Sequence, residues 1–337
     1  MKAREGDFIE TFGDLLFDVK GLMHPPNRII AFIRYFPDKK TEREKNGKSY
    51  GKVYSLLKRY TLSKERHPQY LVYNSVFDEE LCEVPVDAVK KHYKPAEKLR
   101  ELRRSDSLDM LESLALRLAK LLKETANIPW DAIGISGSIM VSLHTPSSDI
   151  DPIVYGSENC RRVYSALKKL LNDKHEPFKP YTRKDLKVLF DFRSKDTIMS
   201  YEDFVRSESR KVLQGKFLKR DYFIRFVKDW SEVGEEYGDV HYVNVGYARV
   251  KATVIDDSES IFTPCIYKVS DVQVLEGPQI TPVEEIASFR GRFCEQAGNG
   301  EVVIAQGKVE LVTDNRKNRE YFRLLLGNKP SDYMILL

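Results

Sequence analysis

Cysteine is scarce in this chain: Cys82, Cys160, Cys265 and Cys294 are the four it has in 337 residues, and no two form a C-x-x-C pair. That spacing argues against a zinc knuckle and against a disulfide framework, and leaves reduced thiols as the expectation. Long apolar runs are missing too. No stretch approaches the ~18 uninterrupted apolar residues of a membrane span, and the opening MKAREGDFIE has no apolar h-region, so a cytoplasmic protein with no membrane partner is expected. Neither sign of charge dominates, with 55 Lys and Arg against 51 Asp and Glu, which excludes an argument for partners from net charge alone. Internal repeats and low-complexity tracts are absent as well, and the 42% hydrophobic content is enough for real cores in two or three domains.

What is present is unevenly distributed. Residues 1–104 hold 22 basic and 16 acidic side chains, residues 105–230 hold 22 and 18, and residues 231–337 hold 11 and 17. The first stretch alternates in strand fashion through DFIETFGDLLFDVKG and NRIIAFIRYFP, with Gly13-Asp14 as a turn. A polar, basic segment from Asp38 to Lys52 interrupts that pattern, and AEKLRELRRSD reads as a charged helix leading away from a β-rich, basic N-terminal domain, 1–104.

From 105 to 230 the texture is that of a compact α/β unit. Leu111, Leu114, Ala115, Leu118, Leu121 and Leu122 recur at helical spacing behind a cap at Ser105, Asp106 or Ser107. WDAIGIS then reads as a strand, SIMVSLH as a short helix and SDIDPIVYG as a second strand, followed by a helix capped by Ser157. Capping-box spacing at Thr182/Asp185 and Ser200/Asp203 predicts two more helices, with Gly215 as a stop, before the apolar strand RDYFIRFVKDW. Beyond 231 the chain returns to strands, for which a small barrel or sandwich is expected, with a brief helix at TPVEE where Thr281 caps and Pro282 stands first.

Chemistry concentrates in GISGSIMVSLHTPSSDIDPIVYG. Residues two apart on a strand share a face, so Asp149 and Asp151 present their carboxylates together while Ile150 turns into a core. Two adjacent anions call for a cation. Mg²⁺, with Mn²⁺ as a substitute, suits one or two carboxylates completed by water and substrate phosphates. Gly137-Ser138, where a strand turns into a helix, offers backbone N–H groups and a hydroxyl to phosphate oxygens. The competing possibility is that Ser147-Ser148-Asp149 is only a turn.

In these residues the chain resembles the nucleotidyltransferase superfamily that contains DNA polymerase β, the CCA-adding enzymes and the minimal nucleotidyltransferases. The shared pattern is an apolar strand ending in Gly-Ser, a helix, then Asp-x-Asp between apolar positions; here ten residues separate Ser138 from Asp149. More closely, it looks like a group of predicted archaeal nucleotidyltransferases in which a sequence like HTPSSDIDPIVYG follows the glycine motif.

The resemblance implies an α+β fold with a polymerase-β-type core flanked by β-rich domains. It also implies two metal ions, held by Asp149, Asp151 and a third carboxylate, that position a nucleoside triphosphate for attack by an acceptor hydroxyl. Asp221, heading the strand DYFIRFV, is the first candidate for the third acid, with Asp191, Asp229 and Asp239 as rivals. Gly137, Ser138, Arg161 and Arg225 are the candidate nucleotide contacts; Arg225 stands out because it interrupts an apolar strand. Pro152 departs from the family pattern and suggests an edge or bulge there. The mixture of cations and tyrosines in KSYGKVYSLLKRYTLSKER suits a nucleic-acid backbone and bases, so an RNA acceptor, tRNA-like, is the leading expectation. A protein acceptor, or an RNA-binding protein with this fold and no turnover, are the alternatives.

Overall fold

The computed structural model describes residues 1–175 and 177–337 and divides the chain into two compact units. The first comprises Met1–Val72, Cys82–Pro180 and Val212–Gly234; the second comprises Tyr73–Leu81, Tyr181–Lys211 and Glu235–Leu337. The fold is α+β. The division differs from three consecutive segments: the N-terminal sheet and the segment carrying Gly137 to Asp151 fall into one unit, with β-rich and helical chain sharing contacts that local sequence does not reveal.

In the first unit, β1 (Phe8–Thr11), β2 (Leu16–Val19), β3 (Arg28–Pro37), β4 (Glu44–Lys45), β5 (Lys48–Lys52) and β8 (Val89–Tyr93) lie in the order β4-β5-β3-β2-β1-β8. β6 (Leu71–Asn74) pairs with β7 (Glu79–Pro85), residues 73–81 of this hairpin counting to the second unit, and the first-unit end of β7, Glu83–Pro85, pairs with β3. Asp14 takes a left-handed φ of 59° at the expected first turn. The polar stretch 38–52 continues the sheet instead of interrupting it. Asn46 (φ 51°) and Gly47 (φ 72°) join β4 to β5, in the manner of a tight Asn-Gly hairpin turn. α1 (Leu56–Arg66) follows, with Ser55 as its cap.

α2 (Pro95–Arg104) and α3 (Met110–Ala126) lead into a three-stranded sheet of order β14-β10-β9, made of β9 (Ile133–Ile135), β10 (Pro152–Tyr155) and β14 (Arg225–Val227). α3 is capped by Asp109 in a capping box with Glu112, a few residues later than the cap expected at Ser105–Ser107, because only there does a side chain meet the N3 amide. α4 (Gly137–Met140) is a single turn. α5 (Ser157–Asn172) buries Cys160, Val163, Ala166, Leu167 and Leu170; its cap is Gly156, and Ser157 is the first helical residue. A second small sheet pairs β11 (Phe178–Lys179), β12 (Gln214–Phe217) and β13 (Arg220–Phe223). Gly215, expected to stop a helix, lies inside β12, where an added Cβ would sit 2.6 Å from the Lys179 carbonyl oxygen.

The second unit carries α6 (Arg183–Arg193) and α7 (Tyr201–Glu208), capped by Thr182 and Ser200 as their sequence predicts. Its strands are β15 (Val240–Asp256), β16 (Cys265–Glu276), β17 (Val283–Ser288), β18 (Val302–Asp314), β19 (Arg319–Leu325) and β20 (Tyr333–Leu336). They run β15-β16-β17-β19-β18-β20, and β15 also pairs with β18, which closes β15, β16, β17, β19 and β18 into a small barrel. TPVEE forms no helix: Val283 begins β17, which pairs with both β16 and β19, so burial between two strands overrides the local capping signal.

Candidate functional site

The register of the central strands decides what Asp149 and Asp151 can do. β10 is the middle strand of its sheet, antiparallel to β9 and parallel to β14, with Pro152 opposite Ile135 and Ile153 opposite Arg225. Just before it, the Ile150 N–H donates to the Asp221 carbonyl (3.0 Å), and Ile150 bridges Tyr222 in parallel. Pro152 is therefore neither on an edge nor in a bulge. It is the first residue of a central strand, a position where its missing donor is tolerated. Ile150 is fully buried while Asp149 is exposed and Asp151 partly so, the alternation expected for a strand.

Asp151 faces the turn that leads into α4. The Ser136 N–H donates to the Asp151 carbonyl (2.8 Å), and the Ser136 hydroxyl donates to the Gly6 carbonyl (2.6 Å), tying the turn to both the strand and the N-terminal segment. Gly137 has φ +63°, and a Cβ built on it would lie 1.9 Å from Asp151 Oδ2. Only glycine fits against that carboxylate. Ser138 is 2% exposed, and its hydroxyl has no hydrogen-bond partner among the described residues. A hydroxyl on the wall of a pocket open to solvent is free to bond water or the phosphate oxygen of a ligand that enters.

That pocket encloses about 440 Å³ of empty space open to solvent, and its walls include Ser136, Gly137, Ser138 and Asp151. Facing them from the N-terminal sheet are Asp18, Arg34, Tyr35 and Lys52, and from β13 and β14 come Phe223 and Arg225. The β2–β3 register jumps from Leu16↔Tyr35 to Phe17↔Ile33, leaving Arg34 as an extra residue; such a bulge lets two consecutive side chains, Arg34 and Tyr35, both reach the pocket.

Charge in the pocket is mixed and strained. Burial pushes the Asp151 carboxyl up to about 7, with the Asp149 anion adding to the effect and Lys52, Arg225 and Arg34 opposing it. Burial and the neighbouring Arg34 lower the Lys52 ammonium to about 8, against the pull of Asp149 and Asp151. Although burial would raise it, the Asp18 carboxyl is held well below its ordinary range by Lys20, Arg59, Arg225 and Arg34. Arg225, the cation that sequence flagged as costly to bury, is paired with the fully buried Glu5, whose other oxygen accepts from the Gly21 N–H (2.8 Å).

The structure brings together Gly137, Ser138, Asp151 and Arg225 of the residues expected from sequence, with Asp149 beside Asp151 at the exposed end. The parallel bridge of Ile150 to Tyr222 sets Asp221 level with Asp149 on the adjoining strand. On its other side the β12–β13 hairpin sets Asp221 opposite Lys216, and the two form a partly exposed ion pair of 2.8 Å. Among the described residues, the one group of three acidic or histidine ligands within 4.8 Å is Asp109, Glu112 and His144, the cap of α3, and it does not include Asp221. Of the rivals, Asp191 pairs with Lys187 on α6, Asp229 with Arg4, and Asp239 with Arg316. Arg161, the fifth residue of α5, is exposed and does not line the pocket.

Arg34, Lys52 and Asp18 are the residues that sequence reasoning missed. Their signal was present but indirect: Lys52 lies in the basic, tyrosine-bearing stretch, and Arg34 interrupts the apolar run IIAFIRYF. Both also lie against the ring of Tyr54, at 5.2 and 4.7 Å from its centre, and that ring is 47% exposed.

The donors fit a divalent cation shared with a ligand. Two carboxylates project from one face, burial and then the repulsion between them raise the proton affinity of Asp151, and a hydroxyl and three cations stand beside them where phosphate oxygens would complete the set.

No family model and no solved structure matches this chain. The sequence is similar to the uncharacterized protein MJ1086 of Methanocaldococcus jannaschii, at 33% identity over 335 residues, covering 97% of this chain and 96% of that protein. Because that similarity runs through both units and not through one shared segment, the chain belongs to the same family as the Methanocaldococcus jannaschii protein.

Proposed function

We propose that the pocket around Asp151 binds a metal–nucleoside triphosphate, and that the protein transfers the nucleoside monophosphate to an acceptor hydroxyl on RNA. The observation that carries this reading is the unsatisfied Ser138 hydroxyl beside Asp151, in a pocket walled by Arg34, Lys52 and Arg225. The order helix, strand, single-turn helix, strand, helix from α3 to α5, with a later strand parallel to β10, supports a polymerase-β-type core.

Asp149 and Asp151 would hold Mg²⁺, which when bound supplies charge neutralisation at the reacting phosphate. Arg34, Lys52 and Arg225 hold the triphosphate, and the Ser138 hydroxyl donates to one of its oxygens. Tyr54 offers a ring on which a base stacks. In the reaction the acceptor oxygen bonds to the α-phosphorus, the bond to the bridging oxygen breaks, and pyrophosphate leaves with the acceptor's proton lost to the site. Exposed Lys58, Lys64 and Arg66 on α1 extend the basic surface of the same sheet, which favours a polyanionic acceptor.

The pairing of Asp221 with Lys216 favours a second reading, an RNA-binding protein with this core and no turnover. Incubation with each α-labelled nucleoside triphosphate and total RNA separates them. The wild type is expected to label RNA, and the Asp149→Ala/Asp151→Ala variant to lose at least about a thousandfold, as when charge stabilisation in a transition state is removed. Equal labelling by the two proteins would contradict the proposal. RNA binding without labelling supports the second reading, and nuclease-resistant label in polypeptide indicates a protein acceptor.

A further inference from the structure

Three arginines stand together on the solvent side of α2. Arg100, Arg103 and Arg104 fall at i, i+3 and i+4 and are all exposed, while Leu99 and Leu102 point the other way and are buried. Among the described residues none of the three guanidinium groups forms an ion pair, Glu101 on the same helix included. Glu97 and Glu112 pair with Lys94 and Lys98 instead. Trp130, half-buried on the turn before β9, backs this face: the Arg103 guanidinium lies 4.0 Å from its ring centre and the Lys123 ammonium of α3 lies 5.9 Å away. Lys123 also lacks an ion pair among the described residues, so one ring gathers two uncompensated cations.

Helix electrostatics explain only part of this. The carbonyl end of α2 favours cations in its last turn, where Arg103 and Arg104 lie, but that effect fades within the turn and does not reach Arg100. The face carries no apolar side chain to enter a lipid surface, because both leucines are turned inward. Its position ties it to the Asp151 pocket. A Cβ added to Gly134 would lie 2.4 Å from the Pro95 carbonyl carbon, so α2 starts hard against β9, two residues before the pocket residue Ser136. From that contact the helix carries Arg100 to Arg104 about 8–14 Å along its axis.

We infer that this arginine face holds the phosphate backbone of the RNA acceptor. Planar guanidinium forks match phosphate oxygens, and a polynucleotide supplies a row of them to cations that have no other anion. The Trp130 ring holds Arg103 in place from behind. This identification rests on RNA being the acceptor in the proposed function, and it adds a surface that no residue of the pocket provides.

The test is fluorescence anisotropy of a labelled hairpin RNA of about 30 nucleotides, titrated with the full chain in a chelator, without nucleotide, at several salt concentrations. Wild type is expected to bind, and Arg100→Gln/Arg103→Gln/Arg104→Gln to bind about tenfold or more weakly near 0.1 M salt, with a log–log salt slope shallower by about 2–3. Glutamine keeps helix propensity, so the melting temperature and Mg²⁺-dependent nucleotide binding should stay as in the wild type. Lys168→Gln/Lys169→Gln/Lys195→Gln removes the same charge from exposed positions elsewhere and is expected to bind RNA as the wild type does. With no nucleotide present, a failure to label RNA leaves this result standing. Nucleotide binding without RNA binding in the wild type would sink the inference and spare the pocket. Equal affinity and slope in the α2 variant, or an equal loss in the lysine variant, would also overturn it.

Discussion

Replacing Gly137 with alanine is expected to destabilise the protein by about 2–4 kcal/mol and to abolish nucleotide binding. Two costs add. A left-handed backbone at φ +63° disfavours any L side chain by about 1–2 kcal/mol. The new Cβ would also stand 1.9 Å from Asp151 Oδ2, so the carboxylate or the turn has to move. Gly47 supplies the control, because it has a similar φ of +72° and nothing within 4 Å of an added Cβ. Gly47→Ala pays only the backbone term, so the difference between the two variants in urea unfolding isolates the contact with Asp151. Equal losses at the two positions would show that the carboxylate does not press on the turn.

Asp151→Asn is expected to stabilise the metal-free protein at pH 8 while removing its function. Burial, reinforced by Asp149, raises this carboxyl from 3.8 to about 7 in the folded chain. Between those two values the folded state binds the proton and the unfolded state has released it. Folding stability therefore falls as pH rises from about 4 to about 7, by at most ~1.4 kcal/mol per unit, and the open side of the pocket reduces the total to about 2 kcal/mol. Asparagine has no such slope, so the variant should match the wild type near pH 4 and exceed it by about 2 kcal/mol above pH 7. The lowered Lys52 titrates at about 8, above this interval, and does not mask the effect. Mg²⁺ should recover part of the difference for the wild type alone. Parallel stability curves from pH 4 to 8 would contradict the strained-carboxylate description of the pocket.

The parts of this arrangement that sequence revealed are those governed by neighbours along the chain. Asp149, Ile150 and Asp151 alternate in burial because a strand has a period of two, and Thr182 and Ser200 cap helices because their amides lie three residues away. Gly137 was legible as a special backbone position, although its main reason, contact with Asp151, was not. The remainder depends on chain brought from far away. Asp18, Arg34 and Lys52 enter the pocket through a sheet more than eighty residues upstream of Gly137, and the bulge that aims Arg34 depends on its pairing with β2. Lys216 claims Asp221 through a hairpin register that periodicity alone does not determine. TPVEE carried a sound helix-start signal that lost to pairing on both sides of β17.

Calorimetric titration of each nucleoside triphosphate, with Mg²⁺ and again with a chelator, into wild type and the Asp149→Ala/Asp151→Ala variant tests most directly whether the Asp151 pocket is a metal–nucleotide site. At least one nucleotide should bind the wild type about tenfold or more tightly with Mg²⁺ than without, and that gain should vanish in the variant while the residual, metal-independent binding to Arg34, Lys52 and Arg225 remains. Affinity in the wild type that is indifferent to Mg²⁺, or a Mg²⁺ gain that survives loss of both aspartates, would contradict it.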